Sequence, residues 1–203
     1  EAVALAQRVF TQMPSTQSVL ELTSYQMTAG NNGDARVSLQ QWLKDHPNDV
    51  AVRIALANNL ELGMNPPGAQ AQYLAVLALE PDNITALNNL AWSLRLENPK
   101  KALEYIRRAS NLAPNTPAVL DTLAVIEYHQ GDHTSARDDI QRALAGAPDN
   151  VSMQYHQAMI DAALGEQDKA IAALEGLLAK AAGKFPERAE AEVLLKKLKA
   201  QVH

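Results

Sequence analysis

The chain has 203 residues and a net charge of −5 at neutral pH, and 47% of its residues are hydrophobic but only 4% aromatic. The acidic balance argues against a nucleic-acid partner, because such a surface needs clustered Lys and Arg. No run of about 18 apolar residues occurs, so we expect no membrane span. The absence of cysteine excludes disulfides, thiol catalysis and cysteine-bound metal within these 203 residues.

Residues 1–13 are predicted to form one helix that ends before Pro14. Counted back from that proline, Ala2, Ala6 and Val9 share the register of second helices further along the chain. No first helix and no signal peptide precede this segment, so we interpret it as half of a helix pair. The expectation is that the chain is a fragment of a longer repeat array, with the true N-terminus and any targeting signal upstream of Glu1.

Five predicted helix–turn–helix units follow the half-repeat. Prolines at positions 47, 81, 114 and 148 lie 34, 33 and 34 residues apart, and a small residue lies twelve positions before each of them. The shorter interval comes from the turn of the third unit, Leu96-Glu-Asn-Pro99. The predicted units span residues 16–49, 50–83, 84–116, 117–150 and 151–183.

The fourth unit shows the pattern most clearly. Its first helix has apolar residues at Leu120 and Leu123, and its second has Ala136 and Ile140, both with the spacing of one helix face. Gly131 separates the two helices. A single pair of this kind cannot bury its own apolar face, so the pattern predicts stacked copies.

The last predicted helix covers residues 187–202. Ala191, Leu194, Leu195 and Leu198 share one of its faces, and charged residues cover the others. Because terminal repeats need a polar outer surface, we interpret it as a capping helix. A membrane-surface amphipathic helix is the alternative.

The repeat length and the recurring pairs of a large and a small residue, such as Leu56-Ala57 and Leu90-Ala91, resemble the tetratricopeptide repeat (TPR). The resemblance covers nearly the whole chain. It implies an all-α fold, a TPR-type α-solenoid in which antiparallel helix pairs form a right-handed superhelix with a C-terminal capping helix. Residues 1–203 would then be a single solenoid. Arg53 and Gln154, which replace a family aromatic residue, indicate more exposed edges.

The TPR resemblance also implies a concave groove lined by the first helix of each pair. The groove candidates combine amide, aromatic and charged side chains: Asn58, Asn88, Asn89, Trp92, Arg95, Asp121, Tyr128, Tyr155, His156 and Met159. Asn58 and Asn89 would hold the backbone of a bound segment, because an amide both donates and accepts. Trp92 and Tyr155 would take apolar side chains, and Arg95 opposite Asp121 would set a charge preference.

One known TPR activity can be compared directly with these positions. Chaperone-docking TPR domains hold a C-terminal carboxylate with asparagines and basic residues. Asn58 and Asn89 match the asparagine positions, but Ile54, Ala118 and Thr122 occupy the basic ones. We therefore expect a different kind of bound segment.

The sequence contains no pattern that predicts catalysis. His129 and His133 have the spacing of helical zinc ligands, but Gly131 lies between them and no third ligand accompanies them. Gly-rich phosphate loops and nucleophile elbows are absent. We expect no enzymatic activity, no cofactor and no metal.

Three C-terminal stretches carry a narrower resemblance: Leu120-Asp-Thr-Leu-Ala, Met153-Gln-Tyr-His-Gln-Ala-Met and Phe185-Pro-Glu-Arg-Ala-Glu. They are similar to the tail of bacterial TPR lipoproteins of the PEP-CTERM/exosortase system. That resemblance implies an exported, lipid-anchored protein in surface-protein sorting or exopolysaccharide export, with its lipid-bearing cysteine upstream of Glu1. If this resemblance holds, the protein would lie in the periplasm or at the outer membrane. If it does not hold, the protein would lie in the cytoplasm.

The sequence thus predicts a non-catalytic scaffold that binds a protein or peptide partner in the groove. Two alternatives remain open. The chain could be a structural or self-associating array, with Leu5, Val9 and Phe10 forming an edge that pairs with a second copy. It could also be the regulatory arm of a larger enzyme.

Overall fold

The computed structural model describes residues 1–180 and 185–201, which form twelve α-helices and contain no β-strand. The helices are α1 (Ala2–Gln12), α2 (Thr16–Thr28), α3 (Asn32–Asp45), α4 (Val50–Leu62), α5 (Pro66–Leu79), α6 (Ile84–Leu94), α7 (Pro99–Leu112), α8 (Pro117–His129), α9 (His133–Gly146), α10 (Val151–Ala163), α11 (Gln167–Lys180) and α12 (Arg188–Gln201). The expected end of the fifth unit, residues 181–183, and that of the capping helix, Val202, lie outside the described residues.

The chain divides into two compact units, Glu1–Ser93 and Leu94–His203. In the first unit, helices α1 to α5 pack on one another in chain order, and α2 also contacts α4. In the second unit, α7 to α12 pack in the same way, and α10 contacts both α8 and α12. Within each unit, first helices of successive pairs therefore lie side by side and form a common face.

Most turns between the two helices of a pair need a left-handed backbone. Gly30, Gly131 and Gly165 have φ values of 81°, 83° and 84° there. Glycine is suited to this position because it has no Cβ to clash with the following carbonyl. In the second pair the same role falls to Met64, whose φ is 54°.

Side-chain caps start several of the first helices. Asp49, Asn83 and Asn150 each accept a hydrogen bond from the backbone N–H three residues later, at 3.0–3.1 Å. Such caps satisfy N–H groups that have no partner within the helix. The carboxylate of Asp49 also accepts from the Thr16 hydroxyl at 2.6 Å and from Trp42 Nε1 at 2.8 Å. One side chain thus joins α2, α3 and α4.

The core lies between the helices of each pair. In the second unit, one buried cluster contains Leu120, Ala124, Ala136, Ile140, Ala143, Met153 and Ile160. These include the positions from which the repeat pattern was recognised. The face of α12 that the pattern predicted to be apolar packs in a second cluster, with Ala191 and Leu198 buried and Leu194 and Leu195 partly buried.

Candidate functional site

The first unit contains a depression of about 360 Å³ on the side of its first helices. It is lined by Asn58, Glu61, Leu62, Tyr73, Asn89 and Trp92. Five of the six residues come from the first helices α4 and α6, and Tyr73 comes from α5. Three of the predicted groove residues therefore share one surface. We call this surface the α4–α6 depression.

A chain of amide hydrogen bonds organises the α4–α6 depression. The hydroxyl of Tyr73 donates to Asn58 Oδ1 at 2.7 Å, and Asn89 Nδ2 donates to the same oxygen at 3.3 Å. Asn88 Nδ2 in turn donates to Asn89 Oδ1 at 3.1 Å. The carbonyl oxygen of Asn58 is therefore occupied, and the part of this exposed side chain that is left for a partner is its NH2 group.

Tyr73 is a buried anchor of this network. Burial raises the pKa of its hydroxyl to about 12. A contact of the amide of Asn89 with the hydroxyl oxygen lowers this pKa by a smaller amount, and the charge of Glu61 raises it further. The phenol therefore stays protonated and keeps donating throughout the physiological pH range. This fixes which end of the Asn58 amide faces inwards.

Two buried oxygens near this network accept no hydrogen bond: Glu61 Oε1 and Asn88 Oδ1. A buried acceptor without a partner costs about 1–3 kcal/mol, and more when it is charged. Trp92 is half-buried and contributes its indole to the wall of the depression. The depression thus combines the aromatic wall of Trp92, the fixed amide of Asn58 and the unsatisfied carboxylate oxygen of Glu61. This combination suits a surface that binds a polar segment.

In the second unit, the predicted groove residue Asp121 is engaged by His156. His156 Nδ1 donates to Asp121 Oδ1 at 2.7 Å, and both side chains are largely buried. Asp121 was expected to act opposite Arg95. Arg95 instead lies close enough to His129 to contribute to the lowered pKa of that histidine, whose main cause is burial.

The aromatic candidates of the second unit differ in exposure. Tyr155 is only 8% exposed and belongs to the buried cluster that includes Phe185 and Ala191. This burial corrects the expectation that Tyr155 takes partner side chains, because its ring is already covered. Tyr128 is half-buried and its ring lies 5.3 Å from those of both His129 and His133.

The remaining second-unit candidates are buried or partly buried. His156 is buried and Met159 is half-buried. His156 therefore acts by holding Asp121 rather than by facing outwards. Among the described residues, no group of three His, Asp or Glu side chains is arranged to hold a metal ion. In the same part of the chain, no helix has both the length and the apolar character to cross a bilayer.

Sequence reasoning missed three residues of the α4–α6 depression: Glu61, Leu62 and Tyr73. Glu61 and Leu62 lie on the first helix α4, and the rule that first helices line the groove could have identified both. Tyr73 lies on a second helix, to which that rule does not apply. Only the three-dimensional contact with Asn58 identifies it.

Glu127 was likewise not among the candidates, although it is unusual. The side chain is 8% exposed, and its Oε2 accepts no hydrogen bond. Burial raises the pKa of Glu127 to about 7, with further increases from the charges of Asp139 and Asp132 and a smaller decrease from Arg107. Glu127 is therefore a carboxyl group that titrates near neutral pH inside the second unit.

Comparison with known sequences identifies related proteins. The sequence model of a family described as "Tetratricopeptide repeat" matches residues 64–118 and 122–185, more than half of the chain. A TPR repeat-containing protein of Pseudomonas aeruginosa is 32% identical over 115 residues, which are 56% of this chain and 20% of that protein. Cellulose synthase operon protein C of Xanthomonas axonopodis pv. citri is 27% identical over 175 residues, 82% of this chain and 12% of that protein. The chain thus spans a fifth or less of the length of these two curated relatives.

Among solved structures, a tetratricopeptide repeat protein from Parabacteroides merdae has a similar fold. Its TM-score is 0.79 at 16% identity, and the match covers 99% of this chain and 79% of that chain. This likeness confirms the fold class predicted from the sequence, an all-α solenoid of the TPR type. The narrower resemblance to PEP-CTERM lipoproteins stays a prediction, since none of these three proteins carries such a name.

Proposed function

We propose, because the chain belongs to the tetratricopeptide repeat family, that it is a non-catalytic scaffold whose first helices bind an extended segment of a protein partner. The observation that carries the proposal is the α4–α6 depression, where Tyr73 and Asn89 hold Asn58 in one orientation. A side chain that is already ordered loses little entropy on binding. The side chain of Asn58 is therefore already ordered before a partner binds.

The fixed orientation of Asn58 defines how a segment binds. Its NH2 group donates to a backbone carbonyl of the segment, and its own carbonyl oxygen remains bonded to Tyr73 and Asn89. Trp92 and Leu62 line the same depression and supply apolar contact area. Trp is among the residue types that most often dominate binding energy at interfaces.

The proposal is tested by replacing Trp92. A peptide selected from a random twelve-residue library on the whole chain serves as the partner. We expect Trp92→Ala to lower its affinity by about 2 kcal/mol or more, because a hot-spot aromatic residue is lost. Fluorescence anisotropy measures binding, and urea unfolding of the same variant measures stability.

Tyr25→Ala is the matched control, because Tyr25 is an exposed aromatic residue of the first unit outside the depression. It should leave affinity unchanged. If Trp92→Ala binds the peptide as tightly as the unmodified chain does, the binding surface lies elsewhere. If Trp92→Ala instead loses several kcal/mol of stability, Trp92 acts in the core and the groove assignment is wrong.

A narrower role in exopolysaccharide export or surface-protein sorting is a second proposal. The alignment with cellulose synthase operon protein C supports it, since that alignment covers 82% of this chain. The scaffold would then hold components of an export assembly together. Deleting the gene in its own organism should lower secreted polysaccharide, and restoring the Trp92→Ala version should fail to recover it. Unchanged polysaccharide after deletion would refute this role.

Self-association through α1 is a further proposal, and it is supported by exposed apolar side chains. Leu5 is 58% exposed and Val9 is 40% exposed on the first helix. Phe10, the third residue of this edge, packs against Trp42 with ring centres 6.0 Å apart. A second copy of the chain would cover Leu5 and Val9.

A further inference from the structure

Glu61 is the most unusual polar group of the α4–α6 depression. It lies on α4 and lines the depression, yet its Oε1 is buried and accepts no hydrogen bond. A carboxylate oxygen removed from water needs a charged or strongly donating partner to recover the lost hydration. Glu61 as a whole is partly exposed and lines the depression, so its carboxylate can accept a hydrogen bond from a group that enters there.

The residues around Glu61 do not supply that donor. The hydroxyl of Tyr73 is committed to Asn58, as is one N–H of Asn89. Neither Lys, Arg nor His occurs among the six residues that line the depression. The local charge is therefore negative, and it favours a cationic group over a neutral or an acidic one.

The walls of the depression also suit a cation on an aliphatic stem. Trp92 brings a half-buried aromatic ring to the depression, and Leu62 brings an apolar side chain that is 66% exposed. Aromatic faces attract ammonium and guanidinium groups, and Lys and Arg bury their methylene stems against apolar surface. A volume of about 360 Å³ is large enough for one such side chain.

From these contacts we propose that the α4–α6 depression selects a lysine or arginine side chain of the bound protein segment, with the Glu61 carboxylate accepting from the cation. The inference rests on the proposed function and adds the chemistry of the partner. Asn58 holds the backbone of the segment next to that basic residue, while Trp92 and Leu62 contact the stem. Segments with Asp or Glu at this place are rejected by the charge of Glu61.

Three peptide libraries test the proposal on the whole chain. Each contains random residues around a fixed central position, which is Lys in the first, norleucine in the second and Glu in the third. The immobilised chain should retain the lysine library about tenfold more than the norleucine library, the usual effect of a hydrogen bond to a charged group. The glutamate library should be retained least.

Variants of Glu61 identify the residue responsible. Glu61→Gln keeps the shape of the side chain and should remove the lysine preference, and Glu61→Lys should reverse it toward the glutamate library. Glu104→Gln, at an exposed position in the second unit, makes the same charge change and should keep the preference. Helical circular dichroism checks that each variant is folded.

The outcomes separate this inference from the proposed function. If all three libraries are retained equally, or if the lysine preference survives in Glu61→Gln, the depression binds segments without selecting a cation and the inference is wrong. If no library is retained, the proposed function of the depression fails as well, and the inference fails with it. If retention depends on Asn58 and Trp92 but not on Glu61, the inference is wrong and the proposed function stands.

Discussion

Met64 carries a left-handed backbone at the position that glycine occupies in three other repeats. Its φ is 54° and its side chain is 91% exposed, so no packing compensates for the steric cost. The neighbouring Gly63 has an ordinary φ of −83° and faces the guanidinium of Arg36 instead. Gly63 thus allows close packing against Arg36, and Met64 adopts the strained backbone conformation.

We expect Met64→Gly to raise the free energy of unfolding by about 0.5–1 kcal/mol, since glycine removes the clash but gains entropy when unfolded. The urea midpoint measures the change. Met64→Ala is the control, because it shortens the side chain and keeps the Cβ. An equal gain in both variants would assign the effect to the side chain rather than to the backbone.

We expect Glu127 to make the stability of the second unit depend on pH. Burial and the charge of Asp139 raise its pKa to about 7 in the folded chain, above the value of 4.5 for an unperturbed carboxyl. The pKa of Glu127 is higher in the folded chain than in the unfolded chain, so protonated Glu127 favours the folded state. This contribution to the free energy of unfolding is complete below pH 4.5. It is lost as the pH rises through 7.

We expect Glu127→Gln to stabilise the chain by about 1–3 kcal/mol at pH 8 and to have little effect at pH 4. Urea unfolding at the two pH values measures the difference. Glu104→Gln, at an exposed site, should be neutral at both. A gain of the same size at pH 4 and pH 8 would mean that ionisation of Glu127 is not the cause.

At the scale of helices, α1 has an apolar side that the rest of its unit does not cover. Leu5 and Val9 remain exposed, and Met13, just beyond the helix, is 71% exposed. Exposed apolar side chains in close sequence favour association. This is the edge through which a second copy would bind.

We expect the whole chain to dimerise at high concentration and Val9→Glu to weaken the dimer at least tenfold, because a charge would be placed against apolar surface. Sedimentation velocity over a concentration series measures it. Gln7→Glu introduces the same charge at an exposed polar position of α1 and should leave association intact. A chain that stays monomeric at every concentration would exclude this edge as an interface.

The helix pairs could be predicted from the sequence because their signals are local. Proline, glycine and small apolar residues recur at fixed intervals, and each acts on its own turn or helix. The partners of polar side chains could not be predicted in this way. Tyr73 reaches Asn58 from another helix, and the terminal segment with Phe185 covers Tyr155. Such contacts depend on how helices stack.

At the scale of the whole molecule, the continuous solenoid stays a prediction. The sequence repeat runs without a break through residues 84–116, although the structure divides into compact units at Ser93 and Leu94. Both tryptophans, Trp42 and Trp92, belong to the first unit, whereas helices occur in both units. Fluorescence and circular dichroism therefore report on different parts of the chain.

We expect the urea midpoints from tryptophan fluorescence and from circular dichroism at 222 nm to coincide, as they do when neighbouring repeats unfold together. Met64→Gly provides the control, because its stabilisation lies in the first unit and should shift both midpoints equally. A shift in the fluorescence midpoint alone would show that the two units unfold independently.

The polar contacts between repeats also bear on how the chain is made. Asn58 and Asn89 are 31 positions apart, and Asp121 and His156 are 35 apart, so each contact joins residues about one repeat apart. Contacts that reach only as far as the neighbouring repeat can form before distant parts of the chain are present. A repeat can therefore acquire its neighbours while the ribosome is still adding the next one. Early repeats would be protected from aggregation before synthesis of the C-terminal helix is complete.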